Sequence, residues 1–94
     1  MEHERPVADE SWDEHYRDER DAAFLYRALA AVDGERRPLF EKLAAVEDRH
    51  ARRWEELFQQ AGRPLPAYKT ALRTRILAWM ARTFGASSVL PLML

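Results

Sequence analysis

Apolar and small residues recur at helical spacing along most of the chain. Between residues 9 and 31 they fall at Trp12, Tyr16, Ala23, Tyr26 and Ala30, with Glu19 in the same 4-3-4-3-4 register. Between residues 37 and 61 the register runs 3-4-3-4-3-4 through Phe40, Leu43, Glu47, His50, Trp54, Leu57 and Ala61. Each stripe is the seam of a helix packed against another helix. Asp9 is a good N-cap for the first helix, and Glu10 and Asp13 suit its positive end. Asp33-Gly34 closes it, because glycine is the usual helix stop. Pro38 is tolerated only in a first turn, so the second helix begins around residues 35–37 and runs to about Gln60, where Gly62 and Pro64 end it. So short a connection makes the two helices an antiparallel hairpin.

Beyond the hairpin, residues 62–68 carry Pro64 and Pro66 and read as an extended linker. A shorter helix occupies Lys69–Phe84, with Leu72, Ile76, Trp79, Met80 and Thr83 as its apolar face and Gly85 as its stop. The end, 86–94, is almost wholly apolar. No two-residue alternation marks a strand. The expectation is an all-α chain: a leader over 1–8 that is flexible, a helical hairpin over 9–61, the linker, and a basic, amphipathic helix and tail over 69–94.

The seam holds three residues that do not belong in an apolar stripe: Glu19, Glu47 and His50. Burying an unpaired carboxylate is expensive, so something must compensate them. Counted from the turn at about 1.5 Å per residue, all three lie roughly 20–24 Å away, so an antiparallel hairpin brings them to one level. Glu47 and His50, three residues apart, project to one face. Glu-x-x-His is the spacing by which four-helix bundles hold two metal ions in a carboxylate-rich site. The bland alternative makes Glu47 a rim charge paired with an arginine and His50 a hydrogen-bonded core histidine. His15 reads as an interface residue beside the seam, and His3 as a solvated residue of the leader. The acidic run over residues 9–21 is the wet face of the first helix; it lacks the glycine a calcium loop requires.

Composition narrows the chemistry. The 94 residues include no cysteine, which removes disulfides, thiolate zinc sites and thiol nucleophiles. The remaining donors suit iron, with manganese or zinc as alternatives. The net charge of −1 hides a split: residues 1–60 hold all 16 acidic residues and 10 basic ones, whereas residues 61–94 hold five basic residues and no acid. The acidic body favours cations and disfavours nucleic acid as a partner. The basic, apolar tail calls for a membrane interface, a transporter domain or another partner surface, or else for packing on its own hairpin.

One hairpin supplies two carboxylates and one imidazole, too few for a closed two-metal site. Two copies about a two-fold axis supply four glutamates and two histidines, and also cover an apolar seam that a lone hairpin leaves half bare. The expected assembly is therefore a homodimer, or a higher oligomer, that forms a ferritin-like four-helix bundle.

Glu19-x-x-Ala22-x-x-x-Tyr26, with Glu47-x-x-His50-Ala51 after it, resembles half of a rubrerythrin or ferritin-like di-iron domain. Residues 18–30 and 41–62 are similar to the ferritin-like region that precedes the membrane part of bacterial vacuolar-iron-transporter-type proteins, and residues 73–94 resemble the segment next to that region. The ligand layout also resembles encapsulated ferritins, which build their iron site from two-helix halves across a dimer. The resemblance implies Glu19, Glu47 and His50 as iron ligands and catalytic residues of a ferroxidase, two irons per dimer site, and Tyr26 packed behind the ligands. The basic tail fits cytoplasmic flanking sequence, so the expected location is cytoplasmic, with the cytoplasmic face of a membrane as one place within it. One departure stands out: a full rubrerythrin-type chain carries a second Glu and a second Glu-x-x-His, and here no acid occurs after Glu56. Either a second copy supplies that half or the sequence is a piece of a longer chain; the apolar, uncapped end favours the piece. Two roles outside catalysis stand beside the ferroxidase: an iron-sensing or iron-delivery module of a transporter, and a helical dimerisation module without metal.

Overall fold

The computed structural model describes residues 10–93, and every regular element among them is helical. Helix α1 spans Glu10–Val32, α2 spans Arg37–Gln60 and α3 spans Leu72–Phe84; two 3-10 turns, Ala86–Ser88 and Leu90–Met93, finish the described chain. None of these helices is long and apolar enough to cross a membrane. The expected leader and the Asp9 cap lie outside the described residues.

The turn between α1 and α2 is held by its own charges. Asp33 accepts from the Arg36 backbone N–H at 3.0 Å and from Arg36 Nε at 2.6 Å, while Arg37 Nε donates to the Ala30 carbonyl at 2.9 Å. Asp33 so satisfies an N–H at the start of α2, and Arg37 a carbonyl at the end of α1. Gly34, expected as the stop, has no left-handed backbone; Gly62 and Gly85 do, with φ of 70° and 93°. At Gly62 the backbone reverses so that Gly62 N–H donates to Gln59 O and Arg63 N–H to Phe58 O, the pairing that closes a helix on a left-handed glycine.

The hairpin forms as expected, but its contact stripe on α2 is rotated from the expected one. Phe40, Ala44, Ala51 and Phe58 are buried, whereas Leu43, Glu47, Trp54 and Leu57 are half-buried and His50 and Ala61 are exposed. On α1 the expected seam holds at Trp12, Tyr16, Ala23 and Ala30, with Glu19 and Tyr26 at its edge. The small residues Ala44 and Ala51 let the helices approach closely, and the larger side chains beside them point along the open edge of the hairpin.

α3 begins at Leu72 rather than Lys69. Residues 63–71 run extended along α1, pinned where Tyr68 donates its hydroxyl to Asp21 at 2.7 Å and the Ala71 N–H donates to the same carboxylate at 3.2 Å. α3 then packs on α1, and the face it buries is not the expected one. Thr74, Leu77, Ala78 and Ala81 are buried, while Leu72, Ile76, Trp79 and Thr83 face outward and Met80 is half-buried. The physical reason is size: the row of alanines allows α3 to lie close against α1, and the bulkier row is left on the far side. Around that contact Leu25, Leu29, Ala30 and Phe40 meet Leu77, Ala78, Ala81, Ala86 and Val89 in one core. A second core at the open end of the hairpin holds Trp12, Tyr16, Ala51 and Phe58.

Candidate metal centre

Halfway along the hairpin α1 presents Glu19 and α2 presents Glu47 and His50. One donor atom from each lies within 4.8 Å of the others, and this is the one such cluster of three among the described residues. His50 Nδ1 stands 2.9 Å from Glu19 Oε2 and 3.5 Å from Glu47 Oε1. Glu47 Oε1 is shielded from solvent and has no hydrogen-bond partner, a costly state for a carboxylate oxygen.

Burial, and after it the neighbouring Glu47 carboxylate, push the Glu19 carboxyl above its ordinary range, while His50 pulls the other way. Two carboxylates in one partly dry site favour sharing a proton or a cation over standing as two bare anions. The donor set of two oxygens and one imidazole nitrogen suits a hard or borderline divalent ion. An ion here would give the orphaned oxygen its missing partner, so the residues present fit a metal.

No family model, curated protein or solved structure matches the chain.

Access to the triad is one-sided. The side chains of Glu19 and Glu47 are 24% and 20% exposed and that of His50 is 54% exposed, so the cluster opens along the edge where the hairpin is half covered. One turn further from the hairpin connection, His15 stacks on Trp54 with ring centres 5.3 Å apart and planes within 5°. His15 is four residues before Glu19, and Trp54 four after His50. Their stack therefore lies in the next layer of the same edge. Those spacings were legible in the sequence, although the ring stack itself was not among its expectations. Behind this layer the Tyr16 hydroxyl donates to Glu55 at 3.2 Å and accepts from Arg20 at 2.6 Å, while Arg20 also lies over the Tyr68 ring at 4.4 Å. Tyr26 lies two turns along α1 from Glu19, half-buried, with its ring stacked on Phe40 at 6.5 Å. It makes no hydrogen bond to the triad. His3 lies outside the described residues.

Proposed function

We propose that the chain is an iron-binding, ferritin-like half-domain. In this reading Glu19, Glu47 and His50 hold iron(II), and a second copy brings the same three residues across a two-fold axis to complete a dinuclear site inside a four-helix bundle. The observation that carries the reading is the buried, unpartnered Glu47 Oε1 beside a second carboxylate and an imidazole. The half-covered edge supports the pairing: Leu43, Trp54 and Leu57 flank the triad there, and a partner hairpin would bury them.

Iron is the substrate or cargo. The chain's residues would bind it, fix its distance from a second iron, and keep the carboxylates ionised by its charge. Electron-rich carboxylate donors favour the ferric state, so oxidation of iron(II) by dioxygen is the activity proposed; manganese or zinc would occupy the same donors without that outcome. A second reading, an iron-sensing or iron-delivery module at the cytoplasmic face of a membrane, uses the same ligands and consumes no oxygen. The close His50–Glu19 contact favours a third, in which His50 alone compensates Glu19 and the hairpin dimerises without metal.

Anaerobic iron(II) titration of the wild type, Glu47→Ala and His50→Ala tests the ligands. Both variants are expected to lose binding, because each removes two donors from a symmetric pair. Unchanged stoichiometry in both would sink the assignment. Oxygen uptake on adding iron(II) to the wild type separates oxidation from delivery.

A further inference from the structure

The outward face of α3 carries a second feature, unrelated to the metal centre. Leu72, Ile76 and Trp79 form a ridge on the side opposite the buried alanines, and Phe84 packs edge-on against Trp79 with ring centres 6.0 Å apart. Leu72 is 68% exposed, Trp79 54% and Phe84 66%, so large apolar side chains stand in water where the helix had alanines to spare. Phe24 of α1, 40% exposed, extends the ridge onto the hairpin and lines with it a cleft of about 430 Å³. Scattered exposed apolar residues need no explanation, but five in one continuous strip do.

The charges around the strip say what covers it. Arg75 and Arg82 line the same cleft, and neither has an ion-pair partner among the described residues. Arg73 donates to the Leu92 carbonyl at 2.7 Å and lines a separate cleft with Asp18 and Asp21, and no acidic residue occurs anywhere in residues 61–94. Within the hairpin Arg27, Arg36 and Arg53 pair with Asp48, Asp33 and Glu56, and Arg63 of the linker pairs with Asp13. An apolar ridge with a tryptophan, edged by unneutralised arginines, matches a helix lying in the plane of a bilayer interface: the ridge enters the acyl boundary and the cations meet anionic headgroups. Long arginine stems can lie along the apolar surface while their heads stay at headgroup level. A second copy fits the strip less well, because a two-fold contact through it would set arginines against arginines.

We propose that α3 docks the protein on an anionic lipid surface through Leu72, Ile76, Trp79 and Phe84, with Arg75 and Arg82 at the headgroups. Phe24 and Glu19 are five residues apart on α1, about 140° around the helix. Docking therefore leaves the triad edge facing away from the lipid.

Flotation of the whole chain with vesicles of phosphatidylcholine, alone or mixed with phosphatidylserine, tests the docking. The wild type should float with the mixed vesicles and not with phosphatidylcholine alone, and high salt should release it. Arg75→Gln and Arg82→Gln should each weaken binding roughly fivefold, the weight of one cation near such a surface. Ile76→Ser with Trp79→Ser should abolish flotation while circular dichroism retains the wild-type helicity. If that pair unfolds the chain, Leu72→Ser, at the most exposed position of the ridge, should still weaken flotation. Absence of wild-type binding to the mixed vesicles would overturn the proposal. So would ridge variants that float as well as the wild type, or a fall in oligomeric mass on changing Trp79, which would show that protein covers the ridge.

Discussion

The two cores of this molecule differ in how they are closed. Near the turn, side chains from α1, α2, α3 and the 3-10 segments converge, and Leu29 and Val89 are fully buried. At the other end Trp12, Tyr16, Ala51 and Phe58 come from α1 and α2 alone. Trp12 meets Phe58 edge-on at 5.6 Å and Trp54 at 5.7 Å, but Trp54 and Leu57 keep one side toward water. From the linker, the Arg63 guanidinium lies over the Phe58 ring. The Glu19–Glu47–His50 cluster sits between the two, on the edge that α3 does not cover. The contrast separates an end whose core is covered from three helices within one copy from an end where Trp54 and Leu57 keep a face to water, which is the edge where the proposed pairing would act.

Truncations at the two ends should expose that difference most strongly. Leu29→Ala is expected to cost about 2–5 kcal/mol, the range for a fully buried leucine, whatever the protein concentration. Trp54→Ala should cost only part of the roughly 3–5 kcal/mol of a buried tryptophan in dilute solution, and approach the full cost where copies pair. Urea unfolding of both variants at two well-separated protein concentrations measures this. Equal concentration dependence of the two costs would erase the distinction between a closed and an open core.

Much of this arrangement could be read from residue order. The helical hairpin, its short turn, and the meeting of Glu19, Glu47 and His50 at one height come from periodicity and rise per residue. What failed was rotation about the helix axis. On α2 a stripe of large apolar residues, Leu43, Trp54 and Leu57, outweighed Ala44, Ala51 and Phe58 in the pattern, yet the alanines and Phe58 form the contact. On α3 the same preference for bulk picked Leu72, Ile76 and Trp79 over Ala78 and Ala81. In both helices alanines share the contact with one or two large side chains, Phe40 and Phe58 on α2 and Leu77 on α3, and hydrophobicity alone does not report how near two backbones come. The Glu47 oxygen left without a partner was not legible either, since it depends on side-chain rotamers that periodicity does not report.

A smaller effect sharpens the contrast from the side of charge. The Glu19 carboxyl is held above its ordinary value of 4.5, first by burial and then by Glu47. A raised acid binds its proton more tightly when folded than when unfolded. Its contribution is therefore most favourable below the unfolded value and is lost as pH rises through the folded one. Without metal, the protein should lose some stability as pH climbs from the carboxylate range toward neutral, and Glu19→Gln should flatten that slope and raise the apo Tm at neutral pH. Thermal melts of wild type and variant across this range check it. A variant less stable than the wild type at neutral pH would mean that the His50 contact outweighs the repulsion.

Sedimentation equilibrium with and without iron(II) under anaerobic conditions reads pairing and ligation together. The expected result is a dimer that iron tightens and that carries two irons per pair, with ligands from both copies. A monomer that binds two irons with full affinity would contradict it, for the ligands would then all come from one chain.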